Sequence, residues 1–319
     1  MIVHPEIAAL RDDPAPQREA QSIMARASEQ WSESERAVLD ALAALDRGAP
    51  LADLTALAAL FAGADDAAQA FATGFVAAQV NALASAPLAH LAHRHFTDGT
   101  NSTLLLGRAG GVTLTLVAID GAAHAQRPNP ASVSCAPIES WDRVLAGGGS
   151  ARILACVADG PQSVRITAED IDLRPGTLIA RDARNTALQW RAIAGRLVLL
   201  RLQRRRAVPE PVREYALADG RLIHTAAGSP RDSRLEMMVS LLGAMGRADA
   251  APLLAEIARE PGAQALRWQA LREGLGLDTG GGFAVLDAVA RDAADPLGEA
   301  AATLRAHLLE TYPPLRELA

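Results

Sequence analysis

No lysine occurs anywhere in the 319 residues; apart from seven histidines, all 31 basic side chains are arginine. That absence excludes a Schiff-base lysine, a pyridoxal-phosphate anchor and a P-loop, whose lysine reaches the terminal phosphates. Aromatics are scarce too, at 3%, so alanine, leucine and valine must fill the interior, and an alanine-heavy core points to helices. Cysteine occurs twice, as Cys135 and Cys156, without the CxxC spacing of a thiolate metal site or a disulfide framework, and both read as small buried apolar residues. No GxSxG elbow is present: Gly147-Gly148-Gly149-Ser150 lacks the closing glycine and reads as a flexible turn. There is no HExxH. Gly274-Leu275-Gly276 has part of a dinucleotide fingerprint but closes a helix instead of opening one, and Gly280-Gly281-Gly282 reads as a link between helices.

What is present is a globular composition. Half of the chain is apolar, and 319 residues leave room for two or three structural units. The net charge of −6 and pI near 5.7 give no electrostatic footprint for a phosphate backbone, so no nucleic-acid partner is expected. The one basic run, Arg201 with Arg204, Arg205 and Arg206, reads as a solvated strand end or linker. The opening residues, MIVHPEIAALRDDPAP, carry acids where a signal peptide needs a basic region and an apolar core. Residues 67–91 lack acids and arginines, but Gln69, Thr73, Gln79, Asn81, Ser85 and Pro87 interrupt them. A buried helix is expected there, no membrane span, and a cytoplasmic protein.

The pattern along the chain is α+β in three parts. Residues 1–95 read as a helical N-terminal region. Ser32-Glu33-Ser34-Glu35 has the form of a capping box, and the helix behind it presents Val38, Leu39, Leu42 and Leu45 before Gly48 and Pro50 stop it. Helices are also expected over 53–61 and from Asp65 to about Ala84, where Phe71, Phe75, Val76, Val80 and Leu83 make a packing stripe. From about residue 96 to 228 the period changes to two. Short apolar runs (Val112 to Leu116, Ile153 to Val157, Val164 to Ile166, Leu178 to Ala180, Leu188 to Trp190, Leu197 to Leu202) are punctuated by Gly, Pro, Asn and Asp. No crossover helix separates them, so an antiparallel sandwich or barrel is expected. A last hairpin over 214–224 turns at Asp219-Gly220.

Within this region, VRITAEDIDLRPGTLIARDARNTALQWRAIAGRLVLLRL, residues 164–202, resembles the second half of a cupin-type jelly roll. Pro175-Gly176 and Asn185 stand where that family has its turn and a later Asn. The resemblance implies a cupin-like barrel and, by analogy, a homodimer. The chain departs from the family at its metal ligands, because no His follows Pro175-Gly176 and the two-His-and-Glu motif has no counterpart. Arg181, Asp182 and Arg184 stand in that loop instead.

Residues 229–319 return to a helical pattern that repeats. Leu254, Ile257 and Ala258 recur as Leu286, Val289 and Ala290, a shift of 32, while Met238, Leu242 and Gly243 recur as Leu271, Leu275 and Gly276, a shift of 33. Leu304 and Leu308 begin a third copy. Such self-similarity marks stacked supersecondary units that cannot bury their apolar faces alone. The stretch ADPLGEAAATLRAHL resembles the short form of a HEAT repeat, which implies a helical array of about two and a half units.

Two groups of residues carry candidate chemistry. His90, His93 and His95 are the metal candidate: on a helix His90 and His93 share a face, and His95 turns toward them at its end. The plainer reading is a set of histidines interacting with a helix C-terminus, so no cofactor is required, and a divalent metal is the one the tract would accept. Arg181 and Arg184 can clamp a carboxylate or phosphate by paired donors, with Asp182 offering a local salt bridge instead. His124, with His224 and Asp182, supplies acid–base partners if a barrel mouth gathers them.

The expected function is therefore a non-catalytic binding or adaptor protein. It would recognise a protein, peptide or small ligand through the helical-repeat surface, with Arg234, Arg259, Arg267, Arg272 and Arg291 as polar contacts, or through the barrel mouth. The alternatives are a cupin-type metal-dependent oxygenase or isomerase with non-standard ligands, and a small-molecule sensor.

Overall fold

The structure, a computed structural model, describes residues 7–8, 10–62, 65–160, 162–206 and 210–318. Residues 1–6, part of the stretch read above for a leader, lie outside them. The chain divides into two compact units, Met1–Val208 with Glu214–Ile223, and Pro209–Arg213 with His224–Ala319. The architecture is mixed α+β, helical at both ends around antiparallel sheet.

The first unit opens with helices α1 (Ala15–Ser34), α2 (Arg36–Asp46), α3 (Thr55–Phe61) and α4 (Asp65–Ser85). Their apolar stripes place Trp31, Leu42, Leu45, Leu57, Phe61, Phe71 and Phe75 in one core. Trp31 meets Phe75 edge-on with ring centroids 4.9 Å apart and Phe71 at 5.3 Å. These rings and leucines are each worth roughly 2 kcal/mol of apolar burial. The helical region has no core of its own: the same cluster contains Val112, Leu114, Leu200 and Leu202 from the sheet.

Two local expectations fail here. The capping box does not form, because α1 runs on through Ser32 to Ser34, whose hydroxyl donates to the Trp31 carbonyl at 2.8 Å. Helix α2 then begins with no side-chain cap. On α4, Phe71 and Phe75 are buried, but Val76 and Val80 face outward at 43% and 56% exposure. The buried face is made by the two rings with Ala68 and Ala72.

The sheet strands are β1 (His95–Thr97), β2 (Asn101–Ala109), β3 (Val112–Asp120), β4 (Ser132–Cys135), β5 (Ile138–Ala158), β6 (Val164–Leu173), β7 (Leu178–Asp182), β8 (Thr186–Arg205), β9 (Val212–Ala216) and β10 (Leu222–Ala226). A short helix, α5 (Gly121–Ala125), lies between β3 and β4. The main sheet runs β1-β2-β3-β8-β5-β6, with β7 on β5, and its pairings are antiparallel. A smaller sheet runs β10-β9-β4. Period-two alternation divides the labour. Leu114, Leu200 and Leu202 turn to the helices, whereas Val117, Ile119, Val144, Ile179, Leu197 and Leu199 fill a second core on the other face.

Strands β5 and β8 are much longer than the short runs suggested. The runs Leu188 to Trp190 and Leu197 to Leu202 are one strand, β8, and Gly147 to Ser150 lie inside β5. The flexible turn is in fact a set of bulges, with the β5–β8 register shifting between Val144 and Gly148 and again at Ser150. Gly147 adopts φ 83°, and a Cβ there would stand 2.1 Å from the Arg196 carbonyl oxygen, so only glycine fits. The bulges let one strand serve two parts of the β layer.

The basic run is not a solvated end either. Arg204 donates to Glu139 at 2.6 Å and to the Leu45 carbonyl at 3.2 Å. Arg206 bridges Glu139 and Asp182 at 3.1 and 3.0 Å.

The second unit contains α6 (Pro230–Ala244), α7 (Ala251–Arg259), α8 (Gln264–Leu277), α9 (Thr279–Arg291) and α10 (Gly298–Thr311). Helix α8 packs against α6, α7 and α9, and α9 packs against α10. Leu254, Ala258, Ala270, Leu271, Phe283, Leu286 and Ala301 form its core. Of the positions offset by 32 residues, Leu254 and Leu286 are both fully buried, whereas Leu253 is 53% exposed and its counterpart Val285 is buried. Two readings change. Gly280 to Gly282 are the first turn of α9, capped by Asp278 accepting from the Gly281 N–H at 3.1 Å, so they are no linker. Arg267 is only 6% exposed and cannot serve as a surface contact. Among the described residues, no helix is long and apolar enough to cross a membrane.

Candidate functional site

The histidine tract does not form the expected arrangement. Helix α4 ends at Ser85, because Pro87 lacks an N–H and disfavours helical geometry in the residue before it. His90 and His93 therefore have no helix face to share. His90 is exposed, with its backbone N–H donating to Gln21 at 3.3 Å. His93 is packed edge-on against Phe75 with centroids 4.9 Å apart, and its Nδ1 lies 3.1 Å from the Leu105 carbonyl oxygen. His95 is exposed on β1. Among the described residues, no group of three His, Cys, Asp or Glu stands close enough to hold a metal.

Arg181 and Asp182, expected on a loop, are the last residues of strand β7, with Arg184 just after it, and the three separate into two sets. Asp182 and Arg184 satisfy each other through a bond of 2.7 Å, and Arg206 joins Asp182 at 3.0 Å. Partial burial pushes the Asp182 carboxyl up, but the Arg184 hydrogen bonds and the Arg184 and Arg206 charges outweigh it and hold the carboxyl below its usual range. That side of β7 is an ion-pair network. Arg181, one residue earlier, points to the opposite face by the alternation of the strand. There it pairs across the sheet with Ser140, whose neighbour on the same face is Asp142.

Ser140 and Asp142 are fully buried. Arg201, the cross-strand partner of Asp142, donates through Nε to one of its oxygens, and the Ser140 hydroxyl donates to the other at 3.3 Å. Asp142 is thus already engaged. Arg181 is left with its Nε buried and without a hydrogen-bond partner. Burial pulls the Arg181 guanidinium below its usual pKa, Asp142 counteracts this, and the like charge of Arg201 adds to it. Two arginines share one carboxylate, so this end of the β layer carries an excess positive charge.

Arg181 lines a cavity of about 470 Å³. On its walls stand His124, Arg127, Asn129, Trp190 and Arg191, with Leu154 and Leu188 as apolar surface, and among the described residues no Asp or Glu lines it. His124 is placed by α5, which Asp120 caps by accepting from the Ala123 N–H at 3.0 Å; its Nε2 lies 3.3 Å from the Trp190 carbonyl oxygen. Arg127 is tethered by Asp98 at 2.9 Å. The Asp98 carboxyl is held far below its usual range, first by the Asn101 backbone N–H and then by the Asn101 side chain and Arg127. Of the residues singled out in the sequence, the cavity therefore gathers Arg181 and His124. Asp182 and Arg184 do not line it, and His224 is exposed on β10. The sequence reading missed Arg127, Trp190 and Arg191, and no local spacing marks them. The two cysteines stand together beside the cavity wall, buried among Val133, Leu154 and Val164, and a hydrogen bond from Cys135 lowers the Cys156 thiol.

No family model matches the chain, and no curated protein matches it. Among solved structures it is similar to HutD from Pseudomonas fluorescens SBW25, at 18% identity over 36% of this chain and 56% of that one, with a TM-score of 0.25. It is also similar to a conserved protein of unknown function from Pseudomonas aeruginosa PAO1, at 18% identity over 35% of this chain and 51% of that one, TM-score 0.24. A cupin-2 domain protein from Rhodospirillum rubrum matches at 14% identity over 40% of this chain and 76% of that one, TM-score 0.24. The chain thus spans about half the length of the first two. Likenesses this slight decide neither fold nor function, which rest on the chain's own geometry.

Proposed function

We propose that this is a non-catalytic binding protein whose β unit takes a small anion, a carboxylate or a phosphate, in the cavity beside Arg181. The observation that supports it is Arg181, whose buried Nε has no partner, on a cavity wall shared with Arg127, Arg191 and His124 and, among the described residues, no acid. A planar guanidinium offers paired donors to two oxygens of one anion, and partial burial strengthens each bond. Trp190 and the leucines would cover the apolar part of such a ligand. The β unit is read as cupin-like in outline, with its Pro175-Gly176 turn joining β6 to β7 and Gly176 at φ 90°.

The test is a thermal-shift screen with inorganic phosphate, pyrophosphate, succinate and citrate, followed by calorimetry on any hit. A ligand at a hundred times its Kd stabilises the folded state by about 2.7 kcal/mol, which is a shift of a few degrees. One of these anions should bind, and R181Q should abolish it. Binding that survives R181Q intact, or no shift with any of the four, would overturn the reading.

A second reading, the adaptor, is supported by helix α6. Met237, Met238 and Leu241 along that helix and Met245 at its C-cap are each between 56% and 63% exposed, and methionine-rich faces adapt readily to partner helices. In this reading the second unit is a short HEAT-like array. Replacing Met237, Leu241 and Met245 by Glu in the full chain should remove a protein partner from pull-downs while leaving the fold intact. Unchanged recovery would exclude this face.

A further inference from the structure

The second unit contains a cavity that neither reading uses. It holds about 720 Å³ and is a trough between α8 and α10, floored by Pro314 and Leu315. Trp268, Arg272, Leu275 and Gly276 line it from one face of α8, because they fall at i, i+4, i+7 and i+8. Leu304 and Leu308 line it from α10, Tyr312 follows directly after that helix, and Leu315 closes the floor. Leu275, Leu304, Leu308 and Leu315 also pack against the core of this unit, so the trough is the core continued outward without a lid.

Its charge is as informative as its shape. Arg272 is the one charged residue on the wall, with no Asp or Glu beside it among the described residues. Arg272 is exposed and, among the described residues, has no hydrogen-bond or ion-pair partner. The volume lies in the range of small-molecule sites, whose walls are mostly apolar with a few polar groups that fix orientation. A purely hydrocarbon ligand would leave the guanidinium unused, and a small inorganic anion would leave the aliphatic wall unused.

We propose that this trough binds a monocarboxylate amphiphile, a medium-chain fatty acid, with the alkyl chain on Leu275, Leu304 and Leu308 and the carboxylate on Arg272. It is independent of the anion cavity in the first unit. The chemistry asks for one acceptor pair at one end and an unbranched apolar body. A second copy of this chain is the competing occupant.

Gly276 makes a clean test available. A Cβ built there meets nothing within 4 Å, so a large side chain at this position would enter the trough without touching the helix packing. Replacing a helical glycine also favours the helix. Calorimetry on the full chain would use octanoate, decanoate and dodecanoate below their micelle thresholds, with decyltrimethylammonium as the probe of opposite head charge. Affinity should rise with chain length by roughly fourfold per buried methylene. G276F should abolish decanoate binding with an unchanged circular dichroism spectrum, and R272Q should weaken it about tenfold, the scale of one charge-assisted hydrogen bond. Decyltrimethylammonium binding as tightly as decanoate would overturn the assignment of Arg272. Undiminished binding to G276F, or no binding of any of the three acids, would overturn the site. If the acids fail to bind and G276F changes the molecular mass in light scattering, the trough is an interface between copies and the proposal is wrong.

Discussion

Arg267 and Asp295 meet through two bonds, one of 3.1 Å from Nη1, on side chains that are 7% and 11% exposed. The same guanidinium donates from Nε to the Ala258 carbonyl at the end of α7, and Asp295 accepts the Leu297 N–H at the start of α10. One pair therefore ties three helices of the second unit and supplies an orphan carbonyl and an orphan N–H with partners. Removing one member of such a pair strands a buried charge. R267M should lose about 3 kcal/mol in urea unfolding, and adding D295N should restore part of it. A double variant no more stable than R267M would show that the cost is lost packing of the arginine stem.

Acid should reach the same pair. The Arg267 hydrogen bond, then the Leu297 N–H, hold the Asp295 carboxyl below its usual range. A carboxylate depressed in the folded state contributes stability that is complete above its unfolded pKa, near 3.9, and is lost as pH falls through the folded value. The melting temperature should therefore stay level from about pH 7 to 5 and drop below about pH 4. D295N should melt lower at neutral pH but with a shallower acid slope. Asp98, Asp170 and Asp182 are depressed as well, so the slope is reduced and not abolished. An unchanged slope in D295N would remove Asp295 from the acid response.

Local pattern made the helices and the last hairpin legible, because their signals (3.6-residue stripes, Asp219-Gly220) act within a few neighbours. The histidine tract was misread for a reason visible in the chain: Pro87 stops α4 at Ser85 before the tract begins. The length of β5 was not legible, since Gly147 to Ser150 carry a local turn signal that long-range pairing with β8 overrides. Arg267 looked like any helix-surface arginine, and only Asp295, 28 residues on, reveals its burial. Arg181 and His124 were legible as residue types. Their sharing of one cavity was not, because it depends on the strand alternation that sends Arg181 and Asp182 to opposite faces.

The β5 bulge gives a direct check of that topology. Alanine at Gly147 would need φ 83° and would place its Cβ 2.1 Å from the Arg196 carbonyl oxygen. G147A should cost about 2 kcal/mol or more, seen as a lower urea midpoint for the first unit. A flexible turn would absorb the methyl at no cost, so a midpoint matching the wild type would return Gly147 to a loop.

The excess charge at Arg181 makes a prediction that separates function from stability. In the absence of ligand, its guanidinium has a buried Nε without a partner and shares Asp142 with Arg201. Replacing it by methionine keeps the alkyl stem and removes a partly desolvated cation. R181M should melt at the same temperature as the wild type or higher, by up to about 1 kcal/mol of stability, while losing anion binding. A purely structural arginine gives the reverse, a destabilised protein whose ligand affinity recovers once folding is restored at lower temperature. Melting curves of R181M with and without the best anion from the screen distinguish the two. R201M is the control, because it removes the hydrogen-bonded cation of buried Asp142 and should destabilise the unit by up to about 3 kcal/mol, less whatever Arg181 restores, whether or not a ligand is present.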